Sequence, residues 1–153
     1  MIGMSDIETQ NNSQSGVSGD GTHKDEQVPE NAIFCCFGCM SSVGALTGVA
    51  VLEAYKQMDQ KRNGLFCTSA IAAGVPKHRK STEKAKRIIV VDGCYNKCAR
   101  KILERDGFRV DEYLNLLLDL KIPKIGPFKP FDYSAEDLDR AVRAVIKACE
   151  ESG

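Results

Sequence analysis

The residues of this chain best equipped for chemistry are sulfurs. Five of its seven cysteines stand as two close pairs and a single: Cys36-Phe37-Gly38-Cys39, Cys67, and Cys94-Tyr95-Asn96-Lys97-Cys98. Thiolates are soft ligands, and several at one spot suit Zn²⁺ or an iron–sulfur cluster. A tetrahedral zinc site needs four ligands. Cys36, Cys39, Cys94 and Cys98 form the first candidate set, with Cys67 as a fifth thiol nearby or a replacement for one of them. Gly38 and Gly93 let the backbone approach an ion and offer amide donors to the sulfurs. Cys35 and Cys149 read instead as packing residues, since free cysteine is among the most buried residue types.

Two rival chemistries use the same positions. A C-x2-C pair also marks a dithiol redox centre. Cys94 and Arg100 form C-x5-R after a strand and before a helix, the arrangement with which cysteine phosphatases and arsenate reductases cradle an oxyanion, with Asp92 available as an acid. Against that second reading, residues 95–99 hold no glycine to shape an anion nest. Lys101 also replaces the hydroxyl residue usual after the arginine, and Cys98 sits inside the loop. Whether the chain is an enzyme stays open at this point.

The elements that must position these thiols follow from hydrophobic period and punctuation. Ala32–Cys36 is a short apolar run, as expected of a buried strand. Ser41-Ser42 offers an N-cap to a helix over 43–62, which Asn63-Gly64 ends. Gly44 and Gly48 bring that helix close to a sheet. Leu65–Ser69 reads as a second strand, and Pro76 opens a basic helix running to about Lys86. Arg87–Val91 is apolar on both faces, as the middle of a parallel sheet requires. A helix over about 96–106 follows, aiming its free amides at Cys94. The spacing then predicts a strand over 113–118 and an extended loop around Pro123, Pro127 and Pro130. A final helix is opened by the capping box Ser134-Ala135-Glu136-Asp137.

Alternating strands and helices imply a small three-layer α/β domain with a four-stranded, mainly parallel sheet and helices on both faces. Order 2-1-3-4 is the simplest arrangement. Ligands in such sheets gather beyond the carboxyl ends of the strands near the switch point. Cys36, Cys67 and Cys94 all fall at such ends.

Composition sets the frame around this domain. The polar segment 1–31 lacks the apolar surface to offset its ordering entropy and is expected to be a disordered tail, leaving 32–153 as one domain. It has no apolar core of a secretory signal, and no stretch approaches the ~20 apolar residues of a membrane span. Both point to a reducing, cytoplasmic setting in which thiols ligate rather than pair. Lys+Arg and Asp+Glu balance at 21 each, so no global field draws the protein to nucleic acid or membrane. The one basic run, from Lys77 through His78 to Arg87, reads as a solvated helix face.

At Val91-Asp92-Gly93-Cys94, Cys98-Ala99-Arg100-Lys101, Cys36-Phe37-Gly38-Cys39 with Ser41-Ser42, Cys67 and Glu104, the chain resembles the DGC family. This is a group of cysteine-rich proteins assigned as zinc-binding and named for the Asp-Gly-Cys tripeptide. The resemblance covers roughly 33–120. It implies a domain with chelating cysteines at Cys36, Cys39, Cys94 and Cys98, with Cys67 matching the family's middle cysteine, and no established activity. Phe37 departs from the small polar residue usual at its position.

Overall fold

The structure, a computed structural model, describes residues 27–151. Most of the expected tail therefore lies outside the described residues. Four strands, β1 (Asn31–Cys35), β2 (Asn63–Leu65), β3 (Arg87–Asp92) and β4 (Glu112–Asn115), form one sheet in the order β2-β1-β3-β4. Every pairing is parallel, with Ile33 opposite both Leu65 and Ile89, and Cys35 opposite Val91. The expected order is the observed one.

The helices are α1 (Ser42–Gln57), α2 (Thr68–Ala72), α3 (Pro76–Lys84), α4 (Cys98–Arg105) and α5 (Ala135–Glu150). Strand side chains alternate between faces, and two cores result. Ile33, Ile89 and Val91 meet Leu46 of α1 and Val145 of α5 on one face. Phe34, Ile88 and Val90 meet Ile71 of α2, and Ala99 and Leu103 of α4, on the other. That is the three-layer arrangement the apolar strands demand, since both of their faces need cover. Cys149 is buried in the first core, in the packing role read for it.

Several boundaries differ from expectation, each for a local reason. α1 stops at Gln57, and Asn63 opens β2 rather than ending a helix. Its buried amide oxygen accepts from Asn31 Nδ2 at 2.8 Å, and its own Nδ2 donates to the Asp59 carbonyl at 3.0 Å. These side-chain bonds hold the start of β2 to β1 and move that strand two residues earlier. Cys67 consequently follows the strand as the N-cap of α2, where its Sγ accepts from Ala70 N–H at 3.4 Å.

Gly44 and Gly48 also act differently from expectation. A Cβ on Gly44 would collide with the Gly38 carbonyl, and one on Gly48 with the Phe37 ring. The two glycines bring α1 against the loop after β1, not against the sheet. The Phe37 ring fills the groove over Gly48 while remaining 52% exposed.

The basic run is the exposed face of α3 expected for it, with Arg79, Lys86 and Arg87 also tied into the fold. Arg79 pairs with Glu83 and lies over the Phe108 ring, and Lys86 Nζ donates to Glu30 at 2.7 Å. Arg87 donates to the Ala148 and Cys149 carbonyls, satisfying the C-terminal end of α5. Among the described residues no helix is long and apolar enough to cross a membrane.

Candidate functional site

The chain leaves β1 toward α1 on one face of the sheet and leaves β3 toward α4 on the other. A crevice must open between those two exits. It is a cavity of about 410 Å³, and Cys36, Cys94 and Cys98 all line it. Cys36 comes from the end of β1, Cys94 from the turn after β3, and Cys98 is the first residue of α4. Cys39 and Cys67 are exposed and are not part of this lining. The Cys39 thiol donates to the Phe37 carbonyl at 3.4 Å.

Asp92 organises the Cys94–Cys98 segment. It is 1% exposed, at the last position of β3. Its Oδ1 accepts from Ala99 N–H at 2.9 Å, and its Oδ2 accepts from Arg100 N–H at 3.0 Å. The carboxylate thus satisfies two free amides in the first turn of α4 and sits at its positive dipole end. This replaces the expectation that those amides point at Cys94. It also explains why the helix begins at Cys98 rather than near Asn96: the capping group reaches from the strand, and Lys97 adopts a left-handed φ of 53° to make the entry.

The network continues to β4. Tyr113 Oη donates to Asp92 Oδ2 at 3.2 Å, and burial pushes that phenol up to about 12, keeping its proton in place near neutral pH. Asn115 Nδ2 donates both to Tyr113 Oη at 3.0 Å and to the Cys94 carbonyl at 2.8 Å. A chain of buried Asp92, half-buried Tyr113 and buried Asn115 therefore fixes both the backbone carrying Cys94 and the helix carrying Cys98.

Gly93 is required by close approach. A Cβ there would stand 2.7 Å from the Val43 carbonyl oxygen and 2.8 Å from Thr47 Oγ1. Gly93→Ala is expected to push the Cys94 turn off α1 and to destabilise the protein by about 2 kcal/mol, as overpacking typically does. Urea unfolding followed by circular dichroism measures it, and an unchanged midpoint would show that the turn yields freely.

The Pro-rich segment is more than a connector. Ser42 N–H donates to the Ile125 carbonyl at 2.8 Å, Ile125 N–H donates back to Ser42 Oγ at 2.9 Å, and Phe128 N–H donates to the Met40 carbonyl at 2.7 Å. So tied, the segment supplies Lys124, Gly126 and Pro127 to the cavity wall. Lys124 Nζ lies 3.6 Å from Cys94 Sγ and 5.0 Å from the centre of the Tyr95 ring. No spacing signal links residues 94 and 124, and only the folded loop brings them together.

The thiols differ in environment. Burial pushes Cys36 up to about 11; a backbone hydrogen bond with Gly38 pulls the other way, while Asp92, Cys98 and Cys94 add to the rise. Cys35 is likewise pushed to about 11 by burial, and Cys149 as well. Among the described residues no three His, Cys, Asp or Glu side chains are grouped so as to hold a metal ion. Arg100 does not line the cavity. It donates to Glu104 Oε1 at 2.8 Å and lies over the Tyr113 ring. The arginine of the C-x5-R reading thus points away from Cys94, and Asp92 is engaged by helix amides.

Fold and site together define a small parallel α/β domain with a cysteine-lined crevice at the carboxyl edge of its sheet. The chain belongs to the DGC domain family, whose profile matches residues 32–145. The match extends beyond the segment legible in the motifs, taking in the Pro-rich wall and much of α5. Membership is consistent with a cysteine-rich metal-binding protein. No curated protein and no solved structure matches the chain.

Proposed function

We propose that this protein binds Zn²⁺ through Cys36, Cys94 and Cys98, with the fourth coordination position facing the cavity. The observation that carries the reading is that three thiols from separate elements line one cavity at the switch point of the sheet. Their chemistry fits the ion: thiolates are borderline-soft donors of the kind zinc accepts, and ligation deprotonates a coordinating thiol outright. The proton that burial holds on Cys36 would thus be released on binding. Capture requires the three side chains to turn from their present arrangement toward a common point.

A zinc ion held by three protein ligands keeps a position for an exchangeable partner, unlike a closed structural site. That favours a role in carrying, sensing or presenting the metal over a purely structural one. The protein's own contribution is orientation. Asp92 and Asn115 fix the segment bearing two of the thiols, α1 buttresses the loop bearing the third, and the Pro-rich wall limits water.

The test is elemental analysis of full-length protein purified anaerobically, alongside its visible absorption spectrum. A colourless protein retaining stoichiometric zinc is expected. A coloured protein containing iron and sulfide would point to the cluster chemistry the same ligands suit. A protein that takes up neither metal would overturn the reading.

A further inference from the structure

The cavity is far larger than a metal ion, and its charged groups are one-sided. Lys97 and Lys124 both line it. The ammonium of Lys124 contacts the Cys94 sulfur and the Tyr95 ring, and neither lysine has a carboxylate partner among the described residues. The single carboxylate of the lining, Asp92, is turned to the amides of α4 and to Tyr113. Two lysines thus line the crevice with no free carboxylate in the lining to balance them. Met40 and Pro127 supply apolar wall beside them.

We infer that the cavity binds a small organic anion, a carboxylate on a short apolar body, with its acidic group on Lys124 and Lys97 and its body beside the Cys94 sulfur. About 410 Å³ lies within the range of small-molecule sites, which join apolar walls to a few placed polar groups. A phosphate fits less well. The loop has no glycine nest, and the one arginine nearby, Arg100, is committed to Glu104 and Tyr113. Lysines act as point charges and suit a carboxylate without bidentate geometry. The inference concerns the lysines and does not depend on a metal being bound.

The test compares iodoacetate with iodoacetamide on the full chain with a metal chelator present throughout. Each reagent forms a carbon–sulfur bond to a thiolate and expels iodide. Because both attack the same sulfur, its thiolate fraction cancels in the ratio of their rates. Exposed Cys39 and Cys67 serve as internal references, and peptide mass spectrometry resolves the three sites. The iodoacetate-to-iodoacetamide ratio at Cys94 is expected to exceed that at Cys39 and Cys67 by about tenfold, the lower end of electrostatic enrichment in a charged cleft. Lys124→Met should lower it, Lys124→Met combined with Lys97→Met should bring it down to the reference value, and Lys124→Arg should keep it. Pentanoate, an unreactive carboxylate with an apolar body, should slow iodoacetamide at Cys94 and not at Cys39. Equal ratios at all three cysteines, a preference that survives unchanged in the folded Lys97→Met, Lys124→Met double variant, or no protection by pentanoate would each overturn the inference. Zinc retention, measured separately, reports on the metal reading alone.

Discussion

Cys94→Ser is expected to abolish zinc retention, weakening affinity at least ~100-fold, beyond the 10–100-fold that loss of a ligand's outer partner costs. Cys94 is central to the site: its carbonyl is held by Asn115 and its sulfur faces Lys124. Serine preserves the size and the backbone bonds, so lost affinity reports the missing sulfur and not a collapsed turn. Cys67→Ser should retain zinc, because Cys67 is exposed at the N-cap of α2 and outside the cavity lining. Competition with a chromophoric chelator gives both affinities. Full zinc binding by Cys94→Ser would remove Cys94 from the ligand set, and loss in Cys67→Ser would bring Cys67 back into it.

Asp92→Ala should lower stability by about 3 kcal/mol, combining a lost helix cap with hydrogen bonds to a charged group. Two amides of α4 and the Tyr113 hydroxyl all lose their acceptor in a site that is 1% exposed. For a chain of this size the melting temperature should fall by about 10 °C. Asp92→Asn keeps one acceptor oxygen and should fall between. If Asp92 instead served as an acid over the cavity, Asp92→Ala would leave the melting temperature near that of the parent. Thermal unfolding monitored by far-ultraviolet circular dichroism separates the two outcomes. Aspartate in the Asp-Gly-Cys tripeptide is thus a device for aiming cysteines: it anchors α4, Gly93 admits α1, and Cys94 emerges between them.

The sheet was legible because its two central strands, β1 and β3, are short and apolar on both faces, and because the helix between β1 and β2 and the segments between β2 and β3 leave few ways to cross over. The stripe of α5 and its Ser134 cap were equally plain. What escaped sequence reasoning depends on side chains reaching across the fold. Asp92 caps a helix from a different element, and the start of α4 shifted accordingly. Asn31 and Asn63 bond across β1 and β2 and move the second strand away from Cys67. Gly44 and Gly48 looked like a sheet contact, whereas they accommodate Gly38 and Phe37. Lys124 carries no motif at all, since its role exists only once Ser42 and Met40 tie down the Pro-rich segment. The cysteine pairs were visible as pairs, but membership of the cavity follows position in space: Cys36 lines it and Cys39, three residues on, does not.

The most direct test of the thiolate centre is zinc-edge X-ray absorption on zinc-loaded protein in which Cys39 and Cys67 are both replaced by serine. Cys36, Cys94 and Cys98 should then give three sulfur neighbours at about 2.3 Å, with one lighter atom completing the shell. A shell made up of nitrogen and oxygen, or an inability of this variant to hold zinc, would contradict the account.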